Sequence, residues 1–454
     1  MISQFIDRED ELSILREEYS HLPSLVILYG KRRVGKTRLI EEFLKGKKAF
    51  IYTFPDSVKE VQLREFKEGA SRFFNDEYIS KLETDSWYDI FAYLHRIVGN
   101  GIAIVLDEFT YAIKADLKIT SDLQRAWDAL FSRKRILLVL CGSMLGMMNE
   151  AVLSSTSPLF GRRSRDILLQ PLKPWHSLQF FNDKLYGIEG YMLVGGIPPY
   201  LTIASRYRSA LNLVEREFLD QNGYFYREPY FLLSQELRET KTYFSIIMAI
   251  SSGNSTANGI ANYVGMETRK IFPYLQQLMS LQLIERTVPF MGPERAGRYF
   301  VKDNMLYSWF RLTYRRMGGF ISSPRTGIDE LSSILGDRFE EVVKEYIINF
   351  NLLPFRVEKA GKWWKDKDEI DLIAVNTNEK KVCFIEVRWS SLSHSEALEL
   401  GKRLQGKATQ FEWNKDKRKE SYCIVAREIE DKEELTDAGY TCIELKDILK
   451  VSSS

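Results

Sequence analysis

The chain contains 454 residues, enough for about two to four domains that each bury a hydrophobic core. Hydrophobic residues make up 44% of the sequence and charged residues 28%, a composition that excludes an intrinsically disordered chain. The 64 Lys and Arg residues nearly balance the 62 Asp and Glu residues, so any nucleic-acid-binding surface must be a local basic patch.

The cysteines and the N-terminal sequence indicate the cellular compartment. The four cysteines lie far apart and form no C-x-x-C pair, which predicts reduced core residues and not zinc ligands or disulfides: Cys141, Cys383, Cys423 and Cys442. The opening MISQFIDREDELSIL is too acidic for a signal peptide, and no apolar run approaches the roughly twenty residues of a membrane span. We therefore expect a cytoplasmic protein with no membrane partner.

The chain opens with a predicted amphipathic helix. Asp7 is a suitable N-cap for it, and Leu12, Leu15 and Tyr19 follow at helical spacing. By itself this pattern indicates only a surface helix.

A phosphate-binding loop follows the first predicted strand, residues 25 to 29. The loop reads G-x-x-x-x-G-K-[ST], in which glycines let backbone N–H groups face a phosphate chain. Lys36 would reach the outer phosphates of the chain, and Thr37 would hold Mg²⁺. The alternative is an ordinary turn between strand and helix, but the β-rich run before the loop and the helical composition after it favour nucleotide binding. The predicted nucleotide-binding residues of this loop are Gly30, Lys31, Arg32, Arg33, Val34, Gly35, Lys36, Thr37 and Arg38.

Two adjacent carboxylates end a later apolar strand, residues 101 to 106. Asp107 and Glu108 would lie at the carboxyl edge of a parallel sheet, where ligands bind in open sheets of this type. Asp107 suits the Mg²⁺ shell through water, and Glu108 suits the orientation of the attacking water. The alternative is a solvated loop start, which the preceding phosphate loop makes less attractive.

The next strand, residues 136 to 141, ends near Ser143, and a basic pair follows. Ser143 is the candidate for contact with the γ-phosphate or with the attacking water, against the alternative of a simple turn. Arg162 and Arg163 are candidates for an arginine that neutralises transition-state charge, in cis or from another subunit. The alternative for this basic pair is an exposed edge before a strand.

These motifs, in this order, resemble the archaeal ATPase family, a branch of the AAA+ and STAND-related P-loop proteins. The matching segments are FIDRExEL, GKRRVGKT, VLDE, CGS, PLFGRR and GGIP. The resemblance implies an α/β fold with a parallel sheet of strand order 5-1-4-3-2, and ATP with Mg²⁺ as cofactors. It also implies that Asp7, Arg8 and Glu9 lie near the nucleotide base and that Pro198 packs on the adenine. The Gly195–Pro198 segment is also interpretable as a backbone hinge.

The middle of the chain predicts a helical lid and then a winged helix-turn-helix. Three helices and a hairpin make up the predicted winged helix-turn-helix, and its predicted recognition helix begins with Thr268, Arg269 and Lys270. Such a module either contacts DNA or serves as a lid and protein-contact surface. The predicted domains are residues 1–172 for the ATPase core, 173–240 for the lid, 241–302 for the winged helix, 303–330 for a linker and 331–454 for a C-terminal α/β domain.

The C-terminal domain carries a second carboxylate pattern. Asp371 and Glu386 lie on consecutive predicted strands among apolar neighbours. Because burying unpaired carboxylates is costly, we expect a positive group between them, most simply a divalent metal. Such a metal would activate water for attack on a phosphodiester.

This order of helix and strands is similar to that of the PD-(D/E)xK nuclease superfamily, a nuclease-like ancestry found in C-terminal domains of archaeal ATPases. The resemblance implies Asp371 and Glu386 as metal ligands, with Glu340 or Glu341 as the carboxylate of the preceding helix.

The chain departs from that nuclease motif at one position. Arg388 stands where the motif expects Lys, and an arginine stays protonated, so it supplies only fixed charge. Lys402 or Lys407 would be the substitute. The domain is thus either an active nuclease or an inactive DNA- or protein-binding remnant. Residues 363–367, WWKDK, are either a stacking surface for single strands or an exposed hairpin tip.

Three functions follow from this sequence. The first is an ATPase whose nucleotide cycle is coupled to DNA binding or processing through the C-terminal half. The second is a STAND-like switch that recruits a protein partner, with an inactive C-terminal domain. The third is a metal-dependent nuclease regulated by ATP. The sequence is compatible with any oligomeric state.

Overall fold

A computed structural model describes residues 5–237, 239–317 and 328–452. The chain divides into two compact units. The first unit runs up to Leu172 and also takes in Ile197–Pro199, and the second comprises Lys173–Gly196 and the chain from Tyr200 onward. Within the described ranges, no helix combines the length and the apolar composition that crossing a membrane requires.

The first unit is built on one five-stranded sheet whose neighbouring strands all run parallel. Its strands are β1 (Ser24–Tyr29), β2 (Ala49–Thr53), β3 (Ile102–Asp107), β4 (Ile136–Gly142) and β5 (Arg165–Leu168). The order across the sheet is β2-β3-β4-β1-β5, so the predicted strand order is confirmed. Strands β3 and β4 are buried along their whole length, which explains why they read as continuous apolar runs.

Helices connect these strands and cover the sheet. They are α1 (Glu9–Ser20), α2 (Lys36–Leu44), α3 (Lys59–Phe74), α4 (Glu77–Ser80), α5 (Trp87–Ile97), α6 (Phe109–Ala115), α7 (Lys118–Ala129) and α8 (Leu145–Met148). Aromatic rings fill part of the core in edge-to-face contacts, as between Phe66 and Trp87. The prediction that Asp7 caps α1 was wrong. Arg8 is the N-cap residue, with a left-handed φ of 89°, and its own side chain makes no capping hydrogen bond.

The second unit begins with helices and a small hairpin. The helices are α9 (Pro174–Ser177), α10 (Lys184–Val194), α11 (Pro198–Ala204, which begins in the first unit), α12 (Ala210–Leu213), α13 (Tyr224–Glu236), α14 (Thr240–Ser251), α15 (Ala257–Val264) and α16 (Thr268–Ser280). The strands β6 (Ile284–Thr287) and β7 (Arg298–Val301) pair antiparallel. Three helices and a hairpin are therefore present in the predicted order between residues 240 and 301.

The segment predicted as a linker, 303–330, was assigned wrongly in its described part. It forms α17 (Asn304–Trp309), a π-helical turn (Phe310–Tyr314) and α18 (Arg315–Met317), and the first turn of α19 (Ile328–Asn349) also falls in it. Trp309 and Phe310 are fully buried, and the burial of such large rings explains why this segment packs as structure. Residues 318–327 of the predicted linker lie outside the described residues.

The C-terminal part of the second unit contains a mixed five-stranded sheet. Its elements are β8 (Lys359–Lys365), β9 (Asp368–Asn376), β10 (Lys381–Leu392), α20 (His394–Ala408), β11 (Lys419–Ile429), α21 (Lys432–Asp437), β12 (Tyr440–Glu444) and α22 (Leu445–Val451). The order across the sheet is β12-β11-β10-β9-β8. Strand β9 pairs antiparallel with both β8 and β10, whereas β11 pairs parallel with both β10 and β12. All four cysteines are free and buried, as the sequence predicted.

One detail of this sheet corrects the sequence interpretation. Trp363 and Trp364 lie inside β8 with 5% and 6% of their surfaces exposed. Their rings are therefore unavailable for stacking on a single strand, because both are buried.

Candidate functional site

The loop between β1 and α2 has the shape that a phosphate chain requires. It leaves the carboxyl end of β1, a strand that lies between β4 and β5. A Cβ atom at Gly30 would lie 2.5 Å from the carbonyl oxygen of Leu169, so only glycine fits there. Gly35 has a φ of 107° and is the N-cap of α2, and Arg33 is also left-handed at 65°. The turn therefore directs the N-terminal end of α2 at the loop.

Lys36 is buried within this loop. Its Nζ donates hydrogen bonds to the carbonyl oxygens of Gly30 at 3.0 Å and Lys31 at 3.2 Å. Burial lowers the pKa of Lys36, and the nearby Glu108 carboxylate opposes that shift. The ammonium group thus lies in a cavity of backbone carbonyls with its charge incompletely compensated, which suits an anionic ligand.

Thr37 and Asp107 meet at the carboxyl edge of the sheet. Thr37 Oγ1 donates to Asp107 Oδ2 at 3.2 Å, and the backbone N–H of Glu108 donates to Asp107 Oδ1 at 2.9 Å. Burial raises the pKa of Asp107, while its hydrogen bond from the Glu108 N–H opposes the shift. A hydroxyl and a carboxylate side by side are the oxygen ligands that Mg²⁺ prefers.

Glu108 and Ser143 are joined by a direct hydrogen bond. Ser143 Oγ donates to Glu108 Oε2 at 2.6 Å, although 35 residues separate them. Glu108 is left-handed, with φ 50°, and is the N-cap residue of α6. A Cβ at Gly142 would lie 2.3 Å from the sulfur of Met148, so the chain before Ser143 is fixed against α8. The sequence predicted both residues but not their contact.

Three other residues of the loop segment differ in their surroundings. Arg32 donates to the hydroxyl of Tyr111 on α6, a contact that no sequence motif indicated. Val34 is buried. Arg38 lies on the exposed side of α2, where it pairs with Glu41 at 3.3 Å, so it is directed away from the loop.

Arg8 contacts the phosphate loop from the opening segment. Its guanidinium donates to the carbonyl oxygens of Gln170 at 2.7 Å and Val34 at 3.5 Å. Glu11 lies 3.4 Å from it and Asp7 lies 4.0 Å from it. Arg8 is 6% exposed, so it acts as a buried clamp between the loop and the segment that follows β5. Its predicted position near the nucleotide base stays a prediction.

Arg162 and Arg163 each have a carboxylate partner in the structure. Arg162 forms a fork with Asp128, with N–O distances of 3.1 and 3.3 Å. Arg163 lies 3.2 Å from Asp166. The predicted role of either arginine at the γ-phosphate stays a prediction. Pro198 opens α11 and belongs to the first unit, while Gly195, with φ 72°, ends α10 in the second.

The C-terminal carboxylates are compensated by protein cations. Arg388 contacts Asp371 Oδ2 at 3.2 Å and Glu386 Oε1 at 2.6 Å, and Lys407 lies 3.4 Å from Glu386. The backbone N–H of Val387 also donates to Asp371 at 2.8 Å. Burial and the Asp371 carboxylate raise the pKa of Glu386. The positive group that the sequence reasoning required is therefore a guanidinium, so charge compensation no longer argues for a metal.

Glu340 belongs to a neighbouring set of charges. Its carboxylate accepts from Lys362 Nζ at 2.7 Å, and Lys362 also contacts Glu369 at 2.8 Å. Burial and the Asp371 carboxylate raise the pKa of Glu340 to about 8. Glu341 is half exposed and pairs with Lys344.

The predicted C-terminal metal site gains no support from its side-chain geometry. Across residues 5–237, 239–317 and 328–452, no group of three or more His, Cys, Asp or Glu side chains is arranged to hold a metal ion. Lys402, one of the two predicted substitutes, is exposed on α20, and the other, Lys407, is the one that reaches Glu386.

Helix α16, which the sequence predicts to be the recognition helix, exposes charge and an aromatic ring. Arg269 and Lys270 are exposed in its first turn, and Phe272 is exposed one turn later. Lys270 pairs with Glu267 at 3.6 Å. Thr268 instead donates to Asn258 of α15 at 3.0 Å, so it joins the two helices.

The first unit fits ATP and Mg²⁺ by the chemistry of its donors. The glycine cradle at Gly30 admits no side chain, and Lys36 offers a buried cation beside it. Thr37 and Asp107 would hold Mg²⁺, with Glu108 next to them. A triphosphate with its metal would satisfy these groups together.

Comparisons with known proteins agree with this geometry. A family model described as an ATPase domain predominantly from Archaea matches residues 5–203, and one described as Archaea bacterial proteins of unknown function matches residues 309–400. The chain is 32% identical over 444 residues to the uncharacterized protein MJECL04 of Methanocaldococcus jannaschii, a match that covers 94% of this chain and 97% of that relative.

Two further matches concern a short segment and the fold. A 48-residue segment is 48% identical to the uncharacterized ATP-binding protein MJ0423 of the same organism, covering 10% of this chain and 81% of that relative. The Walker-type ATPase PABY2304 of Pyrococcus abyssi is similar in structure, with a TM-score of 0.52, 19% identity, and coverage of 68% of this chain and 96% of that chain. With the parallel sheet and phosphate loop described above, the chain belongs to the family that carries an ATPase domain predominantly from Archaea.

Proposed function

We propose that this protein binds ATP with Mg²⁺ and hydrolyses it. The observation that carries the proposal is the buried Lys36 ammonium. Among the described residues, it donates only to the loop carbonyls of Gly30 and Lys31, and it forms no direct ion pair with the nearby Asp107 and Glu108. A cation in such a site is costly unless an anion joins it. A triphosphate is the anion that this loop length and glycine pattern suit.

Each residue has a distinct task in this proposal. Lys36 and the loop N–H groups bind and orient the outer phosphates. Mg²⁺, held by Thr37 and by Asp107 through water, would neutralise charge on the phosphate oxygens when bound. Glu108 orients the attacking water, and Ser143 fixes the Glu108 carboxylate through their 2.6 Å hydrogen bond.

Two variants and a control test this assignment. Lys36→Ala removes the cation, so saturable binding of labelled ATP is lost. Glu108→Gln keeps the shape of the site, so ATP still binds while turnover falls by about 100-fold or more. Lys45→Ala changes an exposed lysine that pairs with Glu42, and both properties stay at wild-type level. Wild-type turnover in Glu108→Gln would show that another group activates the water.

We also propose roles at the edges of the nucleotide site. Asp7 and Arg8 lie on the base side, and Pro198 contacts the adenine, as the family resemblance implies. Arg162 or Arg163 reaches the γ-phosphate only after it leaves Asp128 or Asp166, because each now shares its charge with that carboxylate. An Asp128→Asn variant therefore releases Arg162, and its ATPase rate rises if Arg162 is the arginine that acts.

We propose that the nucleotide cycle is coupled to DNA through α16 and that residues 241–302 act as a winged helix-turn-helix. Supporting this, Arg269 is exposed and, in the described part of the chain, has no carboxylate or hydrogen-bond partner. Binding of mixed-sequence duplex across a salt series is the test, and Arg269→Ala is expected to reduce the salt slope by about one. Absence of binding at low ionic strength would exclude this coupling.

A second candidate function, a STAND-like switch that binds a protein partner, is favoured by exposed aromatic rings. Tyr230 and Phe231 on α13 are 44% and 55% exposed, and Tyr263 on α15 is 49% exposed. Aromatic rings of this kind are enriched at protein interfaces. This candidate is favoured if the ATP-bound chain captures a partner protein, if the Tyr230→Ser/Phe231→Ser variant does not capture it, and if the same preparation does not bind DNA.

Nuclease activity is not part of the proposal. Arg388 already bridges the carboxylates of Asp371 and Glu386, so a metal ion would have to displace a charged side chain. Incubation of supercoiled DNA with Mg²⁺ or Mn²⁺ tests this view. Cleavage that disappears in the Asp371→Ala/Glu386→Ala double variant would restore the nuclease hypothesis.

A further inference from the structure

The hairpin formed by β6 and β7 is held against the C-terminal sheet at its connecting loop. The backbone N–H of Phe290 donates to the carbonyl oxygen of Lys362 at 2.8 Å, and Trp364 Nε1 donates to the carbonyl oxygen of Ala296 at 3.1 Å. Strand β8 is the edge strand of its sheet, so these bonds occupy backbone and side-chain groups on its free side.

Apolar contacts support the same attachment. The ring of Phe290 stacks on Phe411, with ring centroids 6.3 Å apart and an interplanar angle of 23°. A Cβ at Gly361 would lie 2.8 Å from the Phe290 ring, so the glycine lets the ring approach β8 closely. Phe290 thus packs on the hydrophobic core that contains Trp363.

Alternating charges extend the attachment across four elements. Arg298 of β7 contacts Glu369 of β9 at 3.0 Å, and its guanidinium lies 4.7 Å from the centre of the Trp364 ring. Glu369 also contacts Lys362 of β8, which in turn contacts Glu340 of α19. Glu369 is the carboxylate that Arg298 and Lys362 share, so removing its charge leaves the partly buried guanidinium of Arg298 without a carboxylate partner among the described residues.

We infer that these residues form a clasp that keeps the hairpin on the C-terminal domain and away from external ligands. The hairpin clasp consists of Phe290, Arg298, Glu340, Lys362, Trp364 and Glu369. In the closed clasp, the guanidinium of Arg298 is neutralised by Glu369 and the ring of Phe290 is packed on the C-terminal sheet. Arg298 and Phe290 are then withheld from DNA, and opening the clasp adds this side of the hairpin to the surface that α16 offers. The part that concerns DNA rests on the proposed coupling, whereas the clasp itself does not.

Hydrogen exchange of the hairpin amides tests the clasp directly. Glu369→Gln keeps the side-chain shape but weakens the contacts with Arg298 and Lys362, so exchange across residues 284–301 accelerates by about fivefold. Glu294→Gln is the matched control, because Glu294 pairs with Arg286 in the same hairpin, outside the clasp. Unchanged exchange in Glu369→Gln, or equal acceleration in the control, would overturn the clasp.

A second variant guards against general unfolding of the C-terminal sheet. Phe290→Ala removes the packing from the hairpin side, so exchange in 284–301 accelerates while exchange in β10 keeps its wild-type rate. Acceleration in β10 equal to that in the hairpin would mean that Phe290 only stabilises the domain, which counts against the clasp.

DNA binding separates the clasp from the function proposed above. With a mixed-sequence duplex at low salt, Glu369→Gln is expected to bind several-fold more tightly than wild type. If neither protein binds while hairpin exchange still accelerates, the DNA proposal fails and the clasp stands. If both bind equally although the hairpin is released, the clasp does not restrict access to nucleic acid, and that part of the inference is wrong.

Discussion

Replacing Gly30 with alanine isolates the contribution of the phosphate cradle. The added Cβ would lie 2.5 Å from the carbonyl oxygen of Leu169 and 3.3 Å from Leu169 Cβ. Leu169 cannot move freely, because its N–H donates to Tyr29 O at 2.8 Å and Arg8 holds the next residue, Gln170. The clash involves backbone on both sides, so the loop itself must shift.

The size of the effect follows from these contacts. Overpacking of this kind costs about 1–3 kcal/mol. In a unit of this length each kcal/mol lowers the melting temperature by about 2–4 °C, so a decrease of about 2–12 °C is expected. Displacing the loop N–H groups from the phosphates weakens ATP binding by about tenfold or more, equivalent to about 1.4 kcal/mol.

The control is Gly46→Ala, which carries a backbone cost of its own but no clash. Gly46 has φ 73°, and no atom lies within 4 Å of its added Cβ. The left-handed conformation costs an alanine about 1–2 kcal/mol, so stability falls while ATP affinity is unchanged. Thermal unfolding and a titration with labelled ATP measure the two effects separately. Wild-type ATP affinity in Gly30→Ala would refute the assignment of this loop as the phosphate site.

Two further predictions concern single side chains. Ser143→Ala removes the hydrogen bond that fixes Glu108, so kcat falls by roughly tenfold while ATP affinity is retained, and Ser143→Thr restores kcat. Steady-state kinetics and a binding titration measure the two quantities, and a loss of ATP affinity in place of a loss of kcat would contradict this prediction. The pKa of Glu340, raised to about 8 by burial and by Asp371, means that the folded protein retains a proton that the unfolded chain releases above about pH 4.5. Stability from this group is therefore present at about pH 5 and is lost as the pH rises toward about 8, by more than about 1 kcal/mol. Glu340→Gln cannot ionise, so the decrease in stability between about pH 5 and pH 8 is smaller in this variant. Thermal unfolding of the variant with the same pH dependence as wild type would contradict this prediction.

The sequence predicted the parts of the fold that depend on local pattern. Strands β1, β3 and β4 are buried runs of apolar residues, and the phosphate loop follows β1 with the expected glycines. The segment at 304–317 was missed for the opposite reason. Its aromatic and basic residues carry no clear period, and its structure depends on the burial of Trp309 and Phe310 by distant helices.

Contacts between residues that are distant in the sequence could not be predicted from motifs. Arg8 holds the carbonyl of Gln170, 162 positions away, and Arg298 holds Glu369, 71 positions away. Neither arginine belongs to a spacing that chemistry prescribes. Such pairs depend on how the elements pack, and a sequence pattern describes only the elements themselves.

The contacts of Arg388 with Asp371 and Glu386, in contrast, could have been predicted from strand geometry. Side chains two positions apart share one face of a strand, so Glu386 and Arg388 of β10 had to lie side by side. Ile385 pairs with Leu372 across the antiparallel ladder, which brings Asp371 next to Glu386. The rule that buried carboxylates need a positive partner was sound, but the nearest cation was already in the strand. A predicted metal site is therefore convincing only after the arginines and lysines on the same face have been given other partners.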